Sequence, residues 1–172
     1  SKWALKALRL HQVWWLVTPG NPLKARQPAP LADRILRAKA VMRDPRVKIT
    51  ALEARGLGPE SVDYVILTHI HLDHAGGAGV MMQAFPNAKL VVHPRGARHM
   101  VEPSKLMAAV EGVYGQERAR RLYGSLIPIP AARIIEAHDN TVLRLGSREL
   151  LCIDAPGHAK HHIAIVDRQS SG

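Results

Sequence analysis

Apolar positions along this chain fall into unbroken runs and into helical spacings, and together these lay out an α/β protein. Runs rich in β-branched residues predict strands over 13–17 (Val13-Trp14-Trp15-Leu16-Val17), 46–50, 62–67, 89–93 and 162–167. Leu31, Ile35, Ala38 and Met42 share one face of a helix over 31–42, and Trp3, Ala4, Ala7 and Leu8 do so over 3–10. Residues 51–56 continue as a short helix. A further helix opens at Gly76-Gly77 and runs to Phe85, and 95–123 is mainly helical, broken near Pro103 and Gly115. Pro128 and Pro130 mark an extended segment, and 141–145 with 149–154 form a hairpin around Gly146-Ser147. Strand, helix and strand over 13–50 make a βαβ unit, which requires parallel pairing and a right-handed crossover. The expectation is a βαβ-containing sheet layered with helices on both faces.

Composition narrows this picture. The 172 residues suffice for one domain or a tight pair. A hydrophobic fraction of 47% supports a core, and with aromatics at 4% that core must be filled by Leu, Val, Ile and Ala. The single cysteine, Cys152, lies in the apolar run Leu150-Leu151-Cys152-Ile153, where it reads as a buried spacer. It has no intrachain partner, which fits a reducing compartment. No apolar run approaches the ~18 residues of a membrane span. Lys6, Arg9 and His11 interrupt what could otherwise be a signal-peptide core near Ser1. A cytoplasmic location is expected. The net charge of +10 is uneven: residues 1–50 carry 11 Lys and Arg against Asp33 and Asp44, and the remainder carries 13 against 12 acidic residues. Such a basic third can meet nucleic acid or a nucleotide, although a solvated basic face is the plainer reading.

The chemistry concentrates in Thr68-His69-Ile70-His71-Leu72-Asp73-His74-Ala75-Gly76-Gly77. Four metal-ligating side chains, His69, His71, Asp73 and His74, follow a predicted strand directly. Residues two apart at a strand end point the same way, so His69 and His71 can face one ion. Asp73 and His74 then swing round the turn towards a neighbouring position. Imidazole with carboxylate suits zinc, iron or manganese. A histidine-rich surface loop is the bland alternative, and chance rarely places such a pattern after an apolar strand. Among the other histidines, His93 at a strand end reads as structural. His99, His138 and His161 read as surface residues, and His11 has no evident role.

From about residue 52 to 167 the chain resembles the metallo-β-lactamase-fold hydrolases, on the motif just quoted and on Ala155-Pro156-Gly157-His158-Ala159-Lys160-His161-His162. The resemblance implies His69, His71 and His158 on one metal, with Asp73 and His74 on a second. It implies attack by a metal-bound hydroxide on an ester, thioester, amide or phosphodiester, with Asp73 as the catalytic group orienting the water and His162 steadying the loop of His158. The family's pattern continues to a bridging Asp and a last His that have no counterpart here. One tightly held ion, most simply zinc, is therefore expected, with a second site weak or absent and activity reduced or lost. Half of a two-sheet sandwich also leaves an apolar face that a second copy can cover, so a homodimer is expected.

Residues 3–54 resemble bacterial nicotinate-nucleotide adenylyltransferases, on the stretch from Val13 to Lys24, on Leu31-Ala32-Asp33-Arg34, and on Asp44-Pro45-Arg46-Val47-Lys48-Ile49-Thr50. That family's H-x-G-H phosphate motif is absent, so adenylyl transfer is not expected. The organisation read from the sequence is a basic Rossmann-like fragment over 1–50 and a partial metallo-β-lactamase-like region over 51–172, packed as one unit. Such a chain looks recombined from two unrelated enzymes. Three functions compete: a metal-dependent hydrolase, a chimeric metal-binding scaffold without activity, and a nucleotide- or nucleic-acid-binding protein using the basic third.

Overall fold

The computed structural model describes residues 13–16, 47–50 and 56–169. Strands β1 (Val13–Leu16) and β2 (Val47–Thr50) pair in parallel, Val13 opposite Val47 and Leu16 opposite Thr50, as the βαβ reading requires. The helices expected over 3–10 and 31–42, and residues 51–55 of the next, lie outside the described residues, as does most of the basic third.

A second parallel sheet has the order β3 (Tyr64–Ile66), β4 (Lys89–Val92), β5 (Ile134–Glu136). An antiparallel sheet follows, β6 (Val142–Leu145), β7 (Arg148–Asp154) and β8 (Ile163–Asp167). The hairpin between β6 and β7 turns at Gly146-Ser147 as expected, with Gly146 at φ 59°, a conformation that glycine adopts without steric cost. Five helices are described: α1 (Leu72–Ala75), α2 (Ala78–Ala84), α3 (Pro94–Val101), α4 (Ser104–Tyr114) and α5 (Gln116–Tyr123). The breaks near Pro103 and Gly115 fall where the sequence put them.

Central strand β4 explains the layering. Leu90, Val91 and Val92 are each 0% exposed, because successive side chains of a strand face opposite sides and both sides are covered. Leu90 and Val92 pack with Val65 of β3 and with Ala78, Met82, Ala97 and Met100 of the helical layer. Val91 packs with Leu143, Cys152 and Ile163 of the antiparallel sheet. Cys152 is thus the buried spacer anticipated. Among the described residues helices cover one face of the parallel sheet and a second sheet covers the other, so the expectation of helices on both faces is corrected. Every residue of β6–β8 that packs on Val91 alternates with one facing away, which is what lets a hairpin-built sheet supply the second wall.

Two local features depart from the sequence reading. The helix expected from Gly76-Gly77 to Phe85 is α2, bounded by Gly77 and Phe85, but a separate helical turn, α1, precedes it at Leu72, and the two glycines join the two (Gly76 φ −57°, ψ −29°; Gly77 φ −88°, ψ −2°). Strand β5 was not foreseen, being only three residues long. Arg133 just before it sets its place: its guanidinium donates to the carbonyls of Met82 (2.7 Å), Phe85 (2.6 Å) and Ala88 (2.8 Å), closing the end of α2 and the turn into β4.

At Gly79 the helical layer lies close against the backbone of another segment. A Cβ at Gly79 in α2 would collide with the Ile127 carbonyl oxygen and Cβ, whereas one at Gly112 in α4 would meet nothing within 4 Å. Gly→Ala inside a helix ordinarily stabilises by about 0.5–1 kcal/mol. Gly112→Ala is expected to follow that rule, and Gly79→Ala to lose about 1–3 kcal/mol through overpacking. Urea unfolding of the two variants beside the parent checks the opposite signs.

Candidate metal centre

The chain leaves the parallel sheet at Leu67, and the next turns carry the local motif. His69 and Ile70 are buried, and His71 sits in extended conformation as the residue that starts α1 (φ −62°, ψ 141°). Asp73 and His74 lie inside α1 rather than on an open turn, and both are exposed. From the other side, β7 ends at Asp154 and a loop carries His158 back over the motif before β8 begins at Ile163. The neck of that loop is closed by Ala155 N–H donating to the His162 carbonyl (2.9 Å), with His162 Nδ1 3.2 Å from the Ala155 oxygen. Ile163 N–H then donates to the Thr68 carbonyl at 2.8 Å, beside His69.

These connections bring three imidazoles together. The rings of His69, His71 and His158 stand nearly perpendicular to one another with centroids 4.8–4.9 Å apart. Each offers one ring nitrogen, and the three nitrogens lie within 4.8 Å of one another. His71 Nδ1 and His158 Nε2 are 3.2 Å apart. His69 is 4% exposed and its Nδ1 lies 3.0 Å from the Thr68 hydroxyl, while its Nε2 is buried without a hydrogen-bond partner. A buried polar atom left unpaired costs about 1–3 kcal/mol. A divalent cation at the centre of the three nitrogens supplies the missing partner, and three imidazoles form a familiar open site for zinc. The residues present therefore fit such an ion.

Electrostatics agree with that fit. Burial, reinforced by His74, His71, His158 and His162 in that order, lowers the His69 pKa from 6.5 to about 4, so its ring is neutral near pH 7. A neutral ring is the form that can ligate.

The remaining expected residues fall as follows. Asp73 faces His74, whose Nε2 is 3.3 Å from Asp73 Oδ2, and the His74 ring lies 4.3 Å from that of His69. Asp73 and His74 thus border the trio without joining it. His138 is exposed, as read. His161, read as a surface residue, is half-buried: Ile70 N–H donates to its Nδ1 (3.4 Å) and its ring runs nearly parallel to that of His69. His99 is half-buried as well. His93 is buried at the end of β4, where its Nδ1 accepts Arg95 N–H (3.0 Å) to cap α3 and its Nε2 lies 3.3 Å from Asp154 Oδ1. The part of Asp154 was not legible, since an acidic residue at a strand end carries no signal of its own.

The chain matches the Metallo-beta-lactamase superfamily over residues 28–171, a stretch that begins further towards the N-terminus than the resemblance from residue 52. Among solved structures, an archaeal metallo-beta-lactamase superfamily protein from Sulfolobus tokodaii is 31% identical with a TM-score of 0.52, the alignment covering 62% of this chain and 42% of that one. A subclass B3 metallo-beta-lactamase from a soil metagenome is 24% identical (TM-score 0.48; 67% and 40% covered). A 52-residue stretch is 62% identical to a "Probable nicotinate-nucleotide adenylyltransferase" of Cereibacter sphaeroides, covering 30% of this chain and 28% of that protein. A protein of the same name from Rhizobium johnstonii is 61% identical over 51 residues, 29% of this chain and 26% of that protein. The chain therefore spans under a third of the length of these curated relatives, in keeping with a partial segment of that kind. With most of the chain matched and the two sheets, the ligand-bearing turns and the trio of histidines in place, the chain belongs to the metallo-beta-lactamase superfamily.

Proposed function

We propose that the chain is the metal-holding part of a divalent-metal-dependent hydrolase, with His69, His71 and His158 as ligands and zinc as the ion that best suits them. The observation that carries this reading is the convergence of one ring nitrogen from each of His69, His71 and His158 within 4.8 Å, beside a buried His69 Nε2 that has no hydrogen-bond partner. When bound, such an ion polarises the bond under attack and brings the pKa of a coordinated water towards ~7. The chain's own residues supply the rest. His71 and His158 are exposed, so substrate reaches the centre from their side. Asp73, on α1 beside His74, is the carboxylate we assign to orient the attacking water and take its proton. Esters, thioesters and phosphodiesters are the substrate classes that this arrangement serves. Among the described residues no other group of three ligating side chains converges, so a second ion has only Asp73 and His74 from the motif and is weak or absent. Iron or manganese in place of zinc fits the donors less well, because three imidazoles without a carboxylate favour zinc.

Elemental analysis of the purified chain is expected to give close to one zinc per chain, and His71→Ala and His158→Ala are expected to lose it. A ratio near two overturns the single-ion reading, and full metal in both variants overturns the ligand assignment. A chelator should abolish any turnover in an esterase and phosphodiesterase screen. It should also lower the melting temperature, because the ion ties two distant turns together.

The His69 ring gives a pH dependence with a definite sign. In the unfolded chain it titrates near 6.5 and in the folded chain near 4, so between those values the unfolded state binds more protons. Stability of the metal-free protein is therefore expected to be full above about pH 6.5 and to fall as pH drops towards 4. Denaturant titrations in EDTA at about pH 7 and about pH 5 measure the slope, and His69→Gln should flatten it. Equal slopes in parent and variant would contradict the assignment.

A further inference from the structure

We propose that His93 and Asp154 act as a positioning couple that holds His158 in register with His69 and His71. The inference rests on the ligand assignment above and concerns residues outside it. His93 stands at the end of β4, whose preceding three residues are fully buried, so its backbone is fixed from both sides. Its ring is fixed as well. Nδ1 accepts the Arg95 N–H, which leaves the proton on Nε2, and Nε2 lies 3.3 Å from Asp154 Oδ1. Asp154 is the last residue of β7, and its own N–H is held by Asp139 Oδ1 at 2.9 Å. The residues that follow, Ala155-Pro156-Gly157-His158, run out to the exposed ligand.

The loop of His158 thus has two feet. One foot is fastened by backbone, through Ile163 N–H to the Thr68 carbonyl. The other is fastened to the parallel sheet by side chains, through Asp154 to His93. Three-point coordination tolerates little displacement of any one ligand. Gly157 has no side chain to pack, and a Cβ there would meet nothing within 4 Å, so the stretch between Asp154 and His158 is anchored at its Asp154 end, while Ala159 on the far side of His158 is buried. Fixing the orientation of a ligand from outside the coordination sphere is typically worth 10–100-fold in metal affinity.

The test uses the full chain with zinc as the probe, its affinity measured by competition with a chromophoric chelator. His93→Ala and Asp154→Ala are each expected to weaken zinc by about 10–100-fold. The double variant should be no more than about threefold weaker than the weaker single one, because both remove the same contact. Asp154→Asn should stay within about threefold of the parent, since an amide oxygen can stand where Oδ1 does, 3.3 Å from His93 Nε2. Cobalt substitution adds a spectroscopic check, with a changed visible spectrum in the two Ala variants and a parental one in Asp154→Asn. Parental zinc affinity in both Ala variants, with only the melting temperature lowered, overturns the proposal and leaves a helix cap. Fully additive effects overturn it too. Retention of zinc by His158→Ala, measured alongside, overturns the ligand assignment itself and the couple with it.

Discussion

One backbone hydrogen bond, from the Ile163 N–H to the Thr68 carbonyl, splices the parallel sheet to the antiparallel one. Its two residues flank the ligand-bearing turns: Thr68 precedes His69, and Ile163 follows the loop of His158. A backbone bond of this kind fixes distance and register at once. The packing of Val91 against Cys152 and Ile163 then fixes the angle between the sheets. Without the splice the two walls could still stack, because apolar packing is non-directional, but the loop of His158 would be anchored at its Asp154 end alone. The chemistry of the site depends on a bond in which no ligand takes part.

Much of the fold was legible because it obeys simple periodicities. The run Leu90-Val91-Val92 announced a strand covered on both sides, and it is one. The turn at Gly146-Ser147 announced the hairpin over 141–154, and that hairpin is present. What escaped the sequence had no periodicity to show. Strand β5 is three residues long and owes its place to Arg133 reaching three carbonyls of another element. Helix α1 was missed for the opposite reason: two glycines look like a break, yet both take backbone angles close to helical and carry the chain from one helix to the next. The second wall was read as helical because strands that alternate with helices suggest it, while the hairpin that supplies it lies further along.

The site was legible where its residues are neighbours in sequence. His69 and His71 are two positions apart in the short stretch between β3 and α1, so they stay close neighbours whatever the rest of the chain does. His158 is 87 positions from His71 and was reached only through the resemblance. His161 and Asp154 were not reached at all. The partner of His161 is the N–H of Ile70, and every residue but proline has an N–H. The partner of Asp154 is a histidine on another sheet. Contacts of this kind are decided by tertiary placement, and no local pattern records them.

The order in which these pieces can form follows from their separation along the chain. The β6–β7 hairpin closes over two residues, and β8 adds to it across a short loop, so the antiparallel sheet is built from near neighbours. Closing the long loop between Thr68 and Ile163 comes at a greater entropic cost and is slow. The three-histidine centre is therefore among the last things to assemble. A cation that meets the chain earlier encounters His69, His71, Asp73 and His74 on a few adjacent residues, a donor set with a carboxylate in it. In the folded chain His158 brings a third imidazole beside His69 and His71, and Asp73 and His74 stand outside that trio.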